Sequence, residues 1–386
     1  MKVARVEPFV VSVPYRHREV SSVVARDGVT DVLVKVTTDD GITGWGEACS
    51  GADVASVAAA VEAMIPFVVG RNPWNREAMR ADLYRHGLWQ FRPMTGNFAW
   101  AGIDMALGDI CGKAAGQPLY RLFGGLRRRE VDYFFYLARG SPEELAAQCA
   151  EGLSAGFTVF YLKVGLDFAA DRQMIAAVRE ALGPAPRLRL DANGAWTLPE
   201  ARHHLPALAA YDIEFIEQPV RDYPLAQMAE VRAWSPIPLL ANEGLWTEAD
   251  AYERIAARVA DGYCFSPFWV GSLTAFHRLA HVADLHGLQV CKHTHGELGV
   301  AAAACQHLLL TLPNITTGNQ QTAYLMAYDV LRTPAPIASG PVWGVPEGPG
   351  LGIEVDEAAV AEGVQRYERE GQYLPYQPEM LAREER

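Results

Sequence analysis

The sequence predicts an α/β protein, a modified (β/α)8 TIM barrel that carries an N-terminal α+β capping domain. Three observations support this fold. From Val131 onward, eight short apolar runs alternate with helical patterns, which is typical of successive β/α units. Before that point, an alternating strand pattern is followed by alanine-rich helical stretches. Three acidic residues at equal intervals, Asp191, Glu217 and Glu243, each close one of the apolar runs.

The capping domain is predicted over residues 1–125. Val3 to Pro14 alternates as a strand, and residues 31–38 and 42–47 are predicted to pair around the turn Asp39-Asp40-Gly41. The predicted helices cover 53–65, 75–86 and 97–115.

The barrel is predicted over residues 126–338, at the short end of the usual size for this fold. The clearest helix runs from Ala169 to Leu182, with one apolar stripe and charged residues on its other side. Residues 339–386 are rich in glycine and proline and then charged, and this C-terminal segment could pack back on the capping domain. The candidate strands are 131–137, 157–164, 187–191, 213–217, 238–242, 263–266, 288–292 and 314–317.

Composition limits the partners and the compartment. The net charge of −12 and the pI of about 5.4 argue against a nucleic-acid partner, which would require a basic face. The six cysteines are scattered, which favours a reduced, cytoplasmic protein. The N-terminus lacks the apolar core of a signal peptide, and no apolar run approaches the roughly 20 residues of a membrane span. We therefore expect no membrane partner.

The three spaced acids predict a metal site. Parallel strands of a barrel place their carboxyl ends at one rim, so Asp191, Glu217 and Glu243 should converge there. Unpaired, three carboxylates would repel one another. Oxygen ligands of this kind suit a hard divalent cation, and Mg²⁺ is the expected one.

Four segments together resemble the motifs of one enzyme family. They are Gly44-Trp45-Gly46-Glu47, the run from Ala101 to Ile110 with Gly124-Gly125, Asp191-Ala192-Asn193 with Trp196, and Ile216-Glu217-Gln218-Pro219. In this order the chain resembles the enolase superfamily, in its mandelate racemase/muconate lactonizing branch, over nearly its whole length. The resemblance implies Mg²⁺ held by the three acids, a small-molecule carboxylate substrate and assembly into homo-oligomers. It also implies that a base removes the proton alpha to the carboxylate, giving an enediolate.

Lys163 is the expected base, since the family's second barrel strand usually ends in Lys-x-Lys and its second lysine is the base. Here the strand ends in Tyr161-Leu162-Lys163. A metal ion and other cations nearby would lower the pKa of Lys163. Tyr161 supplies no charge, so that depression should be smaller, and Tyr161 is instead a candidate substrate-binding residue. The alternative is that Lys163 is a surface lysine at a strand end.

His293 is the second catalytic candidate, at the end of the seventh strand. In mandelate racemase-like members the histidine there pairs with an aspartate at the end of the sixth strand. That place falls on Ser266 in this chain, so the dyad is expected to be broken. His293 could then act as a general acid for a leaving group or as a hydrogen-bond donor to substrate.

The remaining candidates are expected to bind substrate. Asn193 and His295 share the strand sides of Asp191 and His293, and Gln320 stands near the eighth strand, where relatives place a glutamate. Arg16 and Arg26 lie in the segment from Tyr15 to Gly28, which is read as a loop that holds a second carboxylate or hydroxyls, or as a mobile solvated loop.

Four further residues are less defined by the sequence. Asn242 would be an unusual neutral ligand if Glu243 were not the third metal ligand. Trp89, Phe91 and Arg92 could form a wall of the pocket or simply pack.

The predicted function is Mg²⁺-dependent dehydration of a hydroxylated acid, such as a sugar acid. One expected base and one candidate acid suit proton removal followed by loss of a β-hydroxyl. Racemisation or epimerisation needs two competent bases, whereas cycloisomerisation needs only one proton to be handled. A hypothesis of a different class is a metal-binding barrel without catalysis, based on Tyr161 and Ser266.

Overall fold

The structure is a computed structural model that describes residues 1–49, 53–87, 91 and 94–376. Its strands are β1 Val3–Val20, β2 Ala25–Thr38, β3 Thr43–Ala48, β4 Glu130–Asp132, β5 Phe135–Leu137, β6 Val159–Lys163, β7 Arg187–Asp191, β8 Ile213–Glu217, β9 Leu239–Ala241, β10 Gly262–Phe265, β11 Gln289–Lys292 and β12 Val342–Gly344. Its α-helices are α1 Val54–Val68, α2 Arg76–His86, α3 Thr95–Ala115, α4 Pro142–Ser154, α5 Phe168–Leu182, α6 Leu198–Leu208, α7 Ala226–Trp234, α8 Glu248–Ala256, α9 Pro267–Val270, α10 Leu273–Leu285, α11 Gly299–Leu309 and α12 Glu357–Glu370. Short 3₁₀ turns cover Pro73–Asn75, Leu119–Phe123, Ala209–Tyr211, Ala323–Leu325 and Pro336–Ala338.

The N-terminal part is a three-stranded antiparallel sheet, β1-β2-β3, with helices on it. The predicted hairpin is confirmed, because β2 pairs with β3 across residues 39–42. Helix α3 lies unusually close to β3: a methyl group at Gly46 would stand 1.9 Å from the carbonyl oxygen of Gly102. The glycines of the Gly-x-Gly-Glu motif therefore permit this close packing.

The barrel sheet is parallel throughout, in the order β11-β10-β9-β8-β7-β6-β5. The predicted fold class is confirmed, but the eighth predicted strand, 314–317, is wrong in detail. This segment makes an isolated bridge instead, from Ile315 to Val290, and just after it Asn319 bridges to Tyr133. Its free carbonyls are satisfied by a side chain, since the buried guanidinium of Arg189 donates to Thr317 and Gly318 at 2.7 and 2.9 Å.

The predicted first barrel strand, 131–137, is divided. Its first part is β4, which pairs antiparallel with β12, and only its second part, β5, joins the barrel sheet. Helix α12 lies against β1, where Gly363 stands over Val11, and Lys35 on β2 pairs with Glu357 at 2.6 Å. The C-terminal segment is thus in contact with the N-terminal sheet.

The N-terminal sheet also joins the barrel directly. The buried carboxylate of Glu47 on β3 accepts the backbone N–H groups of Leu298 and Ala301 at 2.7 and 2.9 Å. These groups lie at the start of α11, where a helix has unpaired donors and favours negative charge. Glu47 therefore fixes the cap over the barrel rim.

The segment from Tyr15 to Gly28, predicted as a loop, is mostly a hairpin. β1 and β2 continue pairing past a register shift, and Glu19 lies opposite Arg26. The Ser22 hydroxyl, at the tip, donates to the carbonyl of Ala192 on the barrel rim at 3.0 Å.

Among the described residues, no single helix is long and apolar enough to cross a membrane. One pair of helices, α1 with Pro73–His86, is long and apolar enough when taken together, but it is bent by 119°.

Candidate active site

The carboxyl ends of three neighbouring strands bring a lysine and two acids into one row. In the parallel register, Lys163 on β6 lies beside Asp191 on β7, which lies beside Glu217 on β8. The three residues are buried, with exposed fractions of 9%, 0% and 1%. Lys163 Nζ donates to Asp191 Oδ2 at 2.6 Å, and Glu217 lies next to this pair in the row.

Glu243 joins this cluster through Asn193. Asn193 has φ of 48° and Gly194 has φ of 70°, so the chain turns sharply just after Asp191. Asparagine and glycine tolerate this left-handed backbone better than other residues. Asn193 Nδ2 donates to Glu243 Oε1 at 2.9 Å, and its Oδ1 accepts from Lys163 Nζ at 3.0 Å.

Two of the three acids keep one oxygen free for a cation. Glu217 Oε2 accepts from Gln320 Nε2 at 2.7 Å, and Glu243 Oε1 accepts from Asn193. The other oxygen of each, Glu217 Oε1 and Glu243 Oε2, is buried and has no hydrogen-bond partner in the part of the chain described. Unpaired buried carboxylate oxygens are costly, and together with Asp191 they are hard oxygen donors. The donor set therefore fits Mg²⁺.

Burial and the neighbouring carboxylates dominate the electrostatics of the cluster. Burial, followed by the charge of Asp191, raises the pKa of Glu217 well above its ordinary value and the pKa of Glu243 to about 7. Burial by itself would lower the pKa of Lys163, but Asp191 and Glu217 outweigh it and raise that pKa. The lowered lysine pKa expected from the sequence therefore requires the charge of a metal ion, because the carboxylates act in the opposite direction.

Tyr161 and Asn242 are both buried, and only Tyr161 contacts the cluster. The Tyr161 hydroxyl donates to Asp191 Oδ2 at 2.5 Å, and its ring stacks on Phe134 with centroids 4.5 Å apart. Burial and the charge of Asp191 raise the pKa of Tyr161, so it remains a donor. Asn242 Nδ2 is turned toward β10, where it donates to the carbonyl of Cys264 at 3.0 Å.

His293 lies across the barrel mouth and stacks on Trp269. The two ring centroids are 4.5 Å apart, at an interplanar angle of 28°. Its Nδ1 is buried and unpartnered among the described residues. Burial, followed by the charge of His295, lowers the pKa of His293 well below its ordinary value. The stack on Trp269 was not predicted, although Ser266-Pro267 signals the short helix α9 that brings Trp269 back over the rim.

Ser266 pairs with His295 instead of His293. Its hydroxyl lies 2.9 Å from His295 Nε2 and also caps α9 by accepting the N–H of Phe268 at 3.2 Å. The His295 ring is packed edge-on against Phe98, Phe268 and Trp269. Burial, followed by the charge of Arg26, lowers the pKa of His295 to about 3.

The capping helix α3 holds the backbone beneath the aromatic rings around His295. The sequence alone did not predict this role for Asn97. Asn97 Nδ2 donates to the carbonyls of Trp246 and Trp269 at 3.2 and 2.6 Å. Asn97 Oδ1 accepts from the Tyr84 hydroxyl at 2.6 Å. The cap therefore holds the backbone of Trp269, and through it the ring that stacks on His293.

The two candidate arginines lie on the hairpin in different surroundings. Arg26 is paired with Glu19 at 2.7 Å, whereas Arg16 lines a separate cavity of about 480 Å³ beside Tyr136 and Arg139. A cavity of about 350 Å³ opens at the cluster and is lined by Asn193, Glu243, Gln218, Arg221, Asp222 and the hairpin tip. Trp89 and Arg92 lie outside the described residues, and Phe91 packs edge-on against Phe67.

Two family models cover most of the chain. Residues 5–124 match the mandelate racemase / muconate lactonizing enzyme N-terminal domain, and residues 144–359 match the enolase C-terminal domain-like family. The chain belongs to the enolase superfamily. It falls in the mandelate racemase/muconate lactonizing branch, as the motifs predicted.

Similar members of the enolase superfamily catalyse different reactions. D-galactarolactone cycloisomerase of Agrobacterium fabrum is 33% identical, over 86% of this chain and 90% of that enzyme. D-galactonate dehydratase of Pectobacterium atrosepticum is 30% identical, over 86% and 90%. A dipeptide epimerase of Enterococcus faecalis, solved with Mg and the dipeptide L-Leu-L-Tyr, is 26% identical, with a TM-score of 0.85 over 92% of this chain and all of that one. Membership therefore supports proton abstraction by an enolase-superfamily enzyme but does not choose the reaction.

Proposed function

We propose that this protein catalyses the Mg²⁺-dependent dehydration of a hydroxylated carboxylic acid, with a sugar acid as the substrate class. The observation that carries the proposal is the difference between the two candidate proton-transfer groups. Lys163 is built into the acidic cluster, whereas His293 makes no hydrogen bond or ion pair to a carboxylate among the described residues. Ser266, at the position of the family's dyad aspartate, bonds His295 instead.

The three acids have one role in this reaction. Asp191, Glu217 and Glu243 would hold Mg²⁺, which supplies the positive charge that binds a substrate carboxylate and makes the adjacent carbon acidic. Tyr161 and Asn193 orient Asp191 and Glu243 through their hydrogen bonds. These hydrogen bonds leave Glu217 Oε1 and Glu243 Oε2 unpaired, so both oxygens are available to the metal.

Lys163 and His293 divide the proton transfers. Lys163 Nζ takes the α-proton, so the carbon–hydrogen electrons form the carbon–carbon double bond. His293 gives a proton to the departing β-hydroxyl, which leaves as water. Burial disfavours the protonated ring, and the negative charge of a bound substrate beside His293 acts in the opposite direction.

This arrangement favours elimination over racemisation. A racemase needs competent bases on both faces of the α-carbon, and a histidine without a carboxylate partner is a poor second base. The relatives named for galactonate and galactarolactone support a sugar acid as the substrate class. Cycloisomerisation also handles a single proton and is the competing outcome.

The proposal is tested by turnover of an acid library with Mg²⁺. Sugar acids should give products lighter by one water, and Lys163→Ala should abolish both turnover and α-proton exchange. Lys35→Ala is a matched control, because Lys35 pairs with Glu357 on the outer face of the N-terminal sheet and should keep full activity. Turnover only of amino-acid derivatives, with inversion and no loss of water, would refute dehydration.

A further inference from the structure

A second group of potential ligands adjoins the three acids. Glu217 on β8, Cys264 on β10 and His293 after β11 each offer one ligand atom, and these atoms lie within 4.8 Å of one another. Glu217 and Cys264 are almost fully buried. The reaction proposed above uses Glu217 and His293 but leaves the Cys264 thiol without a role.

Two side chains of this group each carry a polar atom that has no hydrogen-bond partner among the described residues. Glu217 Oε1 and His293 Nδ1 are buried and make no hydrogen bond within the described residues. Glu217 is 1% exposed, so the unpaired oxygen cannot be satisfied by bulk water. A cation held between them would satisfy both side chains.

The donor chemistry selects the kind of cation. One thiolate, one imidazole and one carboxylate suit Zn²⁺, whereas Mg²⁺ prefers oxygen donors alone. Zinc–ligand bonds of about 2.0–2.3 Å in a tetrahedron place ligand atoms roughly 3–4 Å apart. The ligand atoms of this group lie within 4.8 Å of one another, so the upper bound on their spacing allows such a site. Three protein ligands would leave the fourth position open.

We propose that Glu217, Cys264 and His293 form a Zn²⁺ site that shares Glu217 with the Mg²⁺ triad. Binding breaks the Cys264 S–H bond, releases its proton to solvent and forms the sulfur–zinc bond. The thiolate and the carboxylate then neutralise the ion. Because one carboxylate serves both sites, Zn²⁺ and Mg²⁺ compete, and Zn²⁺ inhibits. This inhibition rests on the proposed function, whereas the metal site itself does not.

Cobalt titration of the whole protein tests the site without relying on activity. Co²⁺ substitutes for Zn²⁺, and a bound thiolate gives a charge-transfer band in the near ultraviolet. We expect the band in the reduced wild-type protein at one Co²⁺ per chain, with release of a proton and loss of the band when Zn²⁺ is added. His293→Gln should keep the thiolate but weaken Co²⁺ binding by at least about tenfold.

Cys291 offers a matched control. It is also a buried thiol, and it lies in register beside Cys264 on the next strand. Cys264→Ser should lose the band and the Zn²⁺ inhibition, whereas Cys291→Ser should keep both. Cys264→Ala serves the same purpose if the serine variant fails to fold, as judged by circular dichroism.

Two results would overturn the zinc site. One is the absence of a charge-transfer band in the reduced wild-type protein. The other is a band that survives Cys264→Ser but disappears in Cys291→Ser. If no acid is turned over, the proposed dehydration fails while the cobalt band still decides the zinc site.

Discussion

Proton competition at the three acids predicts that Mg²⁺ affinity depends on pH. In the metal-free protein the pKa of Glu243 is raised to about 7, so its carboxyl holds a proton until the pH approaches that value. Mg²⁺ requires the ionised form, so affinity should rise with pH and level off above 7. One proton with a pKa of about 7 makes binding about tenfold weaker at pH 6 than at pH 8. The raised pKa of Glu217 makes the dependence steeper.

Isothermal titration calorimetry measures this effect directly. Mg²⁺ titrations at pH 6, 7 and 8, in buffers with different ionisation enthalpies, give both affinity and protons released. Glu47→Gln is a suitable control, since Glu47 is another buried carboxyl with a raised pKa. Glu47 lies on β3 and bonds the start of α11, and it is not one of the three proposed metal ligands. This variant should release the same number of protons as the wild type. An affinity that does not change between pH 6 and pH 8 would refute the reasoning.

Three substitutions give further predictions. Lys163→Ala should lose α-proton exchange but keep Mg²⁺ binding, because Lys163 contacts Asp191 without being a ligand; exchange that persists in this variant by NMR would exclude it as the base. Glu217→Gln should weaken Mg²⁺ binding at least about tenfold by calorimetry, and an unchanged affinity would contradict the ligand triad. Asn97→Ala should lower the free energy of unfolding by about 1–3 kcal/mol in urea denaturation, because two carbonyls lose a donor and the Tyr84 hydroxyl loses an acceptor. An unchanged value would contradict the support of Trp269 by Asn97.

The row of residues at the strand ends follows from local sequence rules. Parallel strands share one rim, so the acid or lysine that closes each apolar run has to lie beside its neighbour. Lys163, Asp191 and Glu217 occupy one register row for this reason. The hairpin turn at Asp39-Asp40-Gly41 is equally local and was predicted from its own residues.

Other features depend on contacts distant in sequence. The segment 314–317 has the composition of a strand, but Arg189 donates to the carbonyls of Thr317 and Gly318, so the segment closes the barrel without forming one. The choice of His295 over His293 as the partner of Ser266 depends on the turn into α9. Residue spacing alone therefore does not predict which histidine Ser266 bonds.

Elimination driven by one base, Lys163, is the reaction proposed for this site. The most direct measurement is NMR of the wild-type protein with Mg²⁺ and its best sugar-acid substrate in ²H₂O. We predict a keto acid that has lost water, and remaining substrate that keeps its original configuration at the α-carbon. An inverted isomer of the substrate that carries deuterium at that carbon would contradict it.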